Sequence, residues 1–137
     1  MSETTETTEF EYVRPLDRET LAAIPIEQRH QQKLYDRTNG ADRVGIVHIR
    51  TPAGGGSPEG LHTHDFEQVF YVLEGRMGVE VGGRTFEVSP GSVVVFPQGV
   101  PHRNWTATDA PTVHLAINVP APALGVKMAK PYPPREQ

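Results

Sequence analysis

Apolar and polar positions exchange residue by residue over much of the middle of the chain. From Arg43, the residues Val44, Ile46, His48 and Arg50 alternate with Gly45, Val47 and Ile49, a period-2 segment that predicts a strand. Further short strands are predicted at 61–64, 68–73, 77–81, 84–88, 93–96 and 112–119. The turns between them are explicit: Glu74-Gly75, Gly82-Gly83, Ser89-Pro90-Gly91 and Pro97-Gln98-Gly99. Gly82-Gly83 between two β-rich runs is a two-residue hairpin signal. Short strands at regular spacing favour a sandwich or closed barrel. The only helical character lies between Asp17 and Gln32, where Asp17 caps, Leu21, Ala22 and Ile24 give an apolar face, and Pro25 interrupts. The expectation there is one or two short helical turns.

The ends read differently. Residues 1–9 are mostly Thr and Glu and predict a disordered tail. Prolines 120, 122, 131, 133 and 134 keep the C-terminus out of any central strand. The chain thus divides into a tail (1–9), an N-terminal arm (10–40), a sandwich or barrel (41–120) and a Pro-rich arm (121–137), the last lying along the surface or across a neighbouring subunit. Its 137 residues suit one core.

Composition narrows the function. With 13 basic and 17 acidic side chains the net charge is −4, and no Lys/Arg run suits a phosphate backbone, so nucleic acid is not an expected partner. The longest apolar runs, such as 93–96, are too short to span a bilayer. Met1-Ser-Glu-Thr-Thr-Glu lacks the basic start of a secretory signal, and a cytoplasmic location is the expectation. The absence of cysteine removes disulfides, thiolate catalysis and Cys-ligated zinc.

What remains is imidazole. His62 and His64, two apart on a strand, project to one face, and the same parity carries Gln68, Phe70 and Val72. Imidazole is the commonest ligand for first-row metals. His102, after the rigid Pro97-Gln98-Gly99-Val100-Pro101 turn, is the natural third member. The spacings Gly56-x5-His62-x-His64-x3-Gln68-x6-Gly75 and Gly91-x5-Pro97-x-Gly99-x2-His102 cover about a third of the chain. On both motifs the sequence resembles the cupin superfamily, in particular its small bacterial single-domain members. The resemblance implies an all-β jelly-roll barrel with short N-terminal helical turns. It also implies one divalent metal ion (Fe, Mn, Ni, Cu or Zn) on His62, His64, Gln68 and His102. Two positions depart from the pattern: Gln68 replaces an acidic ligand, with Glu67 as its rival were a bulge to shift the parity, and Thr106 replaces an Asn. Three His and a Gln would leave the ion's full charge on the site, favouring an anionic or deprotonated substrate.

Phe70, Val72, Met77, Val79 and Phe96 are candidates for an apolar wall, Phe70, Met77 and Phe96 for substrate contact, and Arg50 for a carboxylate clamp. His48 and His114, both on predicted strands, are candidate acid/base groups, with Glu67 and Tyr71 as further bases. Trp105 is expected at the barrel mouth or an interface, and His30 at the surface. The resemblance implies a metal-dependent enzyme acting on a small organic molecule, with dioxygenase-like oxidation or cleavage leading. A lyase, isomerase or polyketide-cyclase-type reaction with the metal as Lewis acid is the second reading, and a non-catalytic binding or sensing module the third. A homodimer is expected.

Overall fold

The computed structural model describes residues 9–133; of the tail expected over 1–9, all but Glu9 lies outside the described residues. Among the described residues a single short helix, α1 (Arg18–Ala23), starts where Asp17 accepts a hydrogen bond from the Thr20 backbone N–H and stops ahead of Pro25. Ten strands follow: β1 (His30–Tyr35), β2 (Gly45–Thr51), β3 (His62–Thr63), β4 (Glu67–Glu74), β5 (Met77–Val81), β6 (Arg84–Val88), β7 (Val93–Phe96), β8 (His102–Thr106), β9 (Thr112–Val119) and β10 (Lys130–Pro131). They form two five-stranded antiparallel sheets, ordered β1-β2-β9-β4-β7 and β10-β3-β8-β5-β6, which pack as a jelly roll. No helix among the described residues is long and apolar enough to cross a membrane.

Alternation decides what faces inward. Across the first sheet one inner row reads Ile49, His114, Val72; the next reads Val47, Ala116, Phe70, Val94; a third reads Gly45, Asn118, Gln68, Phe96. The second sheet contributes Met77, Val79 and Val88 to the same core. Val72, Met77, Val79 and Phe96 are fully buried, each stabilising the fold by roughly 1.5–3 kcal/mol. The β5–β6 hairpin closes through Gly82 and Gly83, both at positive φ (58° and 81°), as a two-residue turn of matching twist requires.

Three strands lie outside the expected set. β1 falls within the segment read as an arm with helical turns, and pairs along the edge of β2. β8 begins at His102, directly after the expected turn, where no strand was expected. β10 pairs with β3, so the Pro-rich arm returns to the barrel.

Two expected cavity residues face the other way. Val47 and Ile49 line the cavity, so His48 and Arg50, of opposite parity on β2, lie on the outer face of that sheet. There Arg50 donates to the carbonyls of Leu21, Ile24 and Pro25 at 3.4, 3.0 and 3.2 Å, holding the end of α1 to the sheet. It fastens a helix and stands outside the cavity lining. His48 is buried on that outer face, where desolvation lowers its pKa.

Gly75 ends β4 at φ +79°, and a Cβ there would sit 2.4 Å from the Pro111 carbonyl oxygen. Gly75→Ala combines left-handed backbone strain with a backbone clash, and is expected to lower unfolding free energy by about 2–4 kcal/mol in urea titrations.

Candidate metal centre

His62 opens β3 and His102 opens β8, and the two are directly paired across the ladder with ring centroids 4.4 Å apart. His64 follows one residue beyond β3, and its carbonyl accepts a bond from Gly99 N–H at 3.1 Å, tying the Pro97–Gly99 turn to the first motif. All three rings are buried.

Their tautomers are fixed by the backbone. His62 Nδ1 faces the Gly60 carbonyl at 2.6 Å, His64 Nδ1 the Met128 carbonyl at 2.9 Å, and His102 Nδ1 the Val100 carbonyl at 3.0 Å. A carbonyl can only accept, so each Nδ1 carries the proton and each Nε2 presents a lone pair. The three candidate ligand atoms lie within 4.8 Å of one another, and His102 Nε2 is buried without a hydrogen-bond partner. Acceptors cannot satisfy each other, and the three-histidine cluster is compatible with a bound metal ion. Burial pushes the His102 pKa down to about 4 and lowers that of His64, the Met128 carbonyl opposing the latter shift. Both rings are therefore held in the neutral form that binds metal.

Aromatic rings keep the cluster in place. Phe96 stacks on His102 at 4.2 Å and Phe66 on His64 at 4.5 Å. Phe96 thus supports a ring from below and, with Met77, belongs to the core, whereas Phe70 is the one of the three expected contact residues that lines the cavity.

Gln68 faces the histidines and Glu67 does not. β4 pairs in regular register with β9 from Glu67 to Val72, which leaves Glu67 and Tyr71 exposed on the outer face. The Gln68 Nε2 donates to Asn118 Oδ1 at 2.8 Å, and the amide also stands within reach of the His64 ring. Position 106, where Asn was expected, holds a buried Thr whose hydroxyl meets Thr112 at 3.1 Å and the Thr51 carbonyl at 3.2 Å, away from the cluster. Trp105 packs across Gly78 on the outer face of the second sheet, and not at the mouth.

Above the histidines opens a cavity of about 380 Å³. Its walls are apolar where Val47, Ile49, Phe70 and Ala116 stand, and residues 122–129 of the C-terminal arm form one side. His114 lines it from β9, against Phe70 at 4.2 Å between ring centroids, with neither ring nitrogen partnered. Desolvation, then the charge of Arg29, pushes its pKa down to about 3. It stands as a neutral hydrogen-bonding group. Sequence reasoning passed over Arg29, Asn118 and the closing arm; the odd-numbered parity of Arg29, Gln31 and Lys33 was the available signal, legible only once β1 is known.

The family model described as the cupin domain matches residues 47–118, more than half of the chain, and the chain belongs to the cupin family. Among solved structures, the polyketide cyclase RemF from Streptomyces resistomycificus is 31% identical over 72% of each chain, with a TM-score of 0.59. TT1209 from Thermus thermophilus (23% identical, 80% of this chain and 100% of that one, TM-score 0.65) is similar in fold. So is KdgF from Halomonas sp. (20%, 69% and 80%, TM-score 0.60). An uncharacterised protein of Streptomyces coelicolor, SCO3923, is 38% identical over 48 residues, 35% of this chain; the match spans just under half (46%) of that protein.

Burial of neutral His114 has a consequence for acid stability. Its folded pKa of about 3 lies below the ordinary value of 6.5, so the unfolded chain takes up the proton first and stability falls as pH drops from about 6.5 toward 3. Each such histidine contributes a slope approaching about 1.4 kcal/mol per pH unit. With chelator present, His114→Phe is expected to flatten the fall in unfolding free energy between about pH 6 and pH 4 by nearly that slope. Denaturant titrations across the range measure it.

Proposed function

We propose that the protein is a metal-dependent enzyme in which His62, His64, His102 and Gln68 hold one divalent ion. The substrate in this reading is a small organic molecule with a carbonyl or enol oxygen, and the reaction is non-redox and cyclase-like. The observation that carries the metal assignment is the convergence of three Nε2 lone pairs whose Nδ1 partners are already committed to backbone carbonyls. A divalent ion held by four neutral groups supplies a Lewis acid of undiminished charge for a substrate oxygen. Asn118 orients Gln68, Phe70 and Ala116 exclude water from the cavity, and neutral His114 offers a hydrogen bond to a substrate heteroatom. The cyclase-like assignment is supported by the 31% identity to a polyketide cyclase. Dioxygenase-like oxidation would use the same ligands and differs in its need for O2.

Elemental analysis of protein purified without added metal is expected to find a stoichiometric divalent ion. His62→Ala and His102→Ala should lose it, and Gln68→Ala should bind it about tenfold more weakly or worse. Full turnover under strict anaerobiosis fits the Lewis-acid reaction; iron or manganese with stoichiometric O2 uptake would replace it by oxygenation.

The proposed partner is a second copy of the chain. Tyr71, Leu73, Val93, Val95 and Val119 lie exposed on the outer face of β4, β7 and β9, and β7 is a sheet edge with an open hydrogen-bonding side. An apolar strip on an edge strand is a site for self-pairing. Light scattering is expected to give a dimer mass for the wild type and a monomer mass for Val93→Lys/Val95→Lys.

A further inference from the structure

We infer that Arg29 is a second anchor in the cavity. It receives a carboxylate or similar anionic group of a molecule whose other oxygen faces the histidine cluster, and His114 offers a hydrogen bond at the Arg29 end. The substrate class is then a small organic anion with two separated oxygen functions. This rests on the metal reading above and goes further, naming what the cavity selects.

The inner rows of the first sheet change character at its β1 edge. From β4 toward β1 one row runs Val72, His114, Ile49 and then Gln31; the next runs Phe70, Ala116, Val47 and then Lys33. Arg29, two residues before Gln31, continues the inward parity, and all three line the cavity. The apolar wall thus ends in a polar, cationic border.

The two cations of that border are not equivalent. Lys33 is answered by Asp36 at 3.9 Å. The Arg29 guanidinium makes one long bond, 3.3 Å to Gln31 Oε1, and among the described residues it has no carboxylate within ion-pair distance. Glu59, also on the cavity wall, acts on it only from farther away. A guanidinium presents five donors in a planar fork suited to a carboxylate, so most of the Arg29 donors are unspent.

His114 stands on the cavity wall toward this cation. In the register of the sheet Gln31 aligns with Ile49 and Ile49 with His114, and Arg29 stands two residues before Gln31, so both side chains lie toward the same end of the cavity. The ring is 1% exposed and both nitrogens lack partners. A buried polar atom in a cavity wall without a partner is an unmade hydrogen bond, costly until something in the cavity completes it. An anion lying between a cationic metal centre and Arg29 satisfies all three groups at once.

The probes are the α,ω-dicarboxylates from malonate to pimelate, each against its monomethyl ester. They are titrated by calorimetry into the metal-loaded protein, with Co(II) substitution giving a visible spectrum that reports the ion. In the wild type, at least one diacid is expected to bind about tenfold or more tightly than its ester. Arg29→Met should abolish that preference with an unchanged Co(II) spectrum and unchanged thermal stability, as expected at an exposed rim position. His114→Phe should weaken the same diacid. Equal binding of diacid and ester by wild type, or unaltered preference in Arg29→Met, overturns the inference. Failure of the metal reading shows separately, as absence of bound ion. In that case Arg29-dependent binding of monoanionic acetate or benzoate still supports the anchor, and Arg29-independent binding removes it.

Discussion

Three imidazole rings facing one another with acceptor nitrogens is an arrangement that a protein does not reach by default. Each ring could lower its energy by turning to offer a donor to its neighbour, and each is prevented from doing so by a carbonyl on its far side. The carbonyls come from three places: the turn before β3, the turn before β8, and the C-terminal arm. The first two lie two residues ahead of their own histidine, so the Gly60 and Val100 turns are part of the site. The third lies sixty-four residues away, and so the arm is part of the site as well. The β10–β3 pairing and the Lys130–Asp65 contact at 2.6 Å hold that arm where Met128 can reach His64.

Much of this was legible in the sequence, for reasons that can be located. The bounds of β5, β6, β7 and β9 follow from alternation framed by glycine turns, and regular parity along β4 separates Gln68 from Glu67. β1 was hidden because His30-Gln31-Gln32-Lys33 is an edge strand polar on both faces, so no apolar period marks it. β8 was hidden for a related reason: its inward residues are His102, Asn104 and Thr106, which serve the site and the threonine contacts. Polar inward residues thus stand where the hydrophobic signal that reveals a strand would be.

The misplaced arginine has the same origin. Arg50 sits on a strand whose period is plain, and Arg29 precedes one that has none, so the sequence drew attention to a cation on the outer face and not to the one on the cavity wall. Parity on β2 then sends His48 and Arg50 to the outer face together, and the parity of β9 sends His114 inward. A one-residue offset reverses a side chain's face, so two histidines on strands carry no information about a shared site until the register is known.

The cluster also divides its work between the two sheets. His62 and His102 belong to one, Gln68 to the other, and His64 to the crossing between β3 and β4. Asn118 and His114 come from the β9 strand beside β4. A cation bound to all four groups would therefore be a contact between the sheets, at the place where polar rows interrupt the hydrophobic packing of Phe70, Val79 and Phe96. Ion binding free energy then adds to folding free energy, because the unfolded chain does not preassemble those ligands. The barrel tolerates a polar centre of unshared lone pairs only because the core beneath it is closed and fully buried. That core closes the barrel from below and leaves the cavity, with Arg29 on its wall, as the open side.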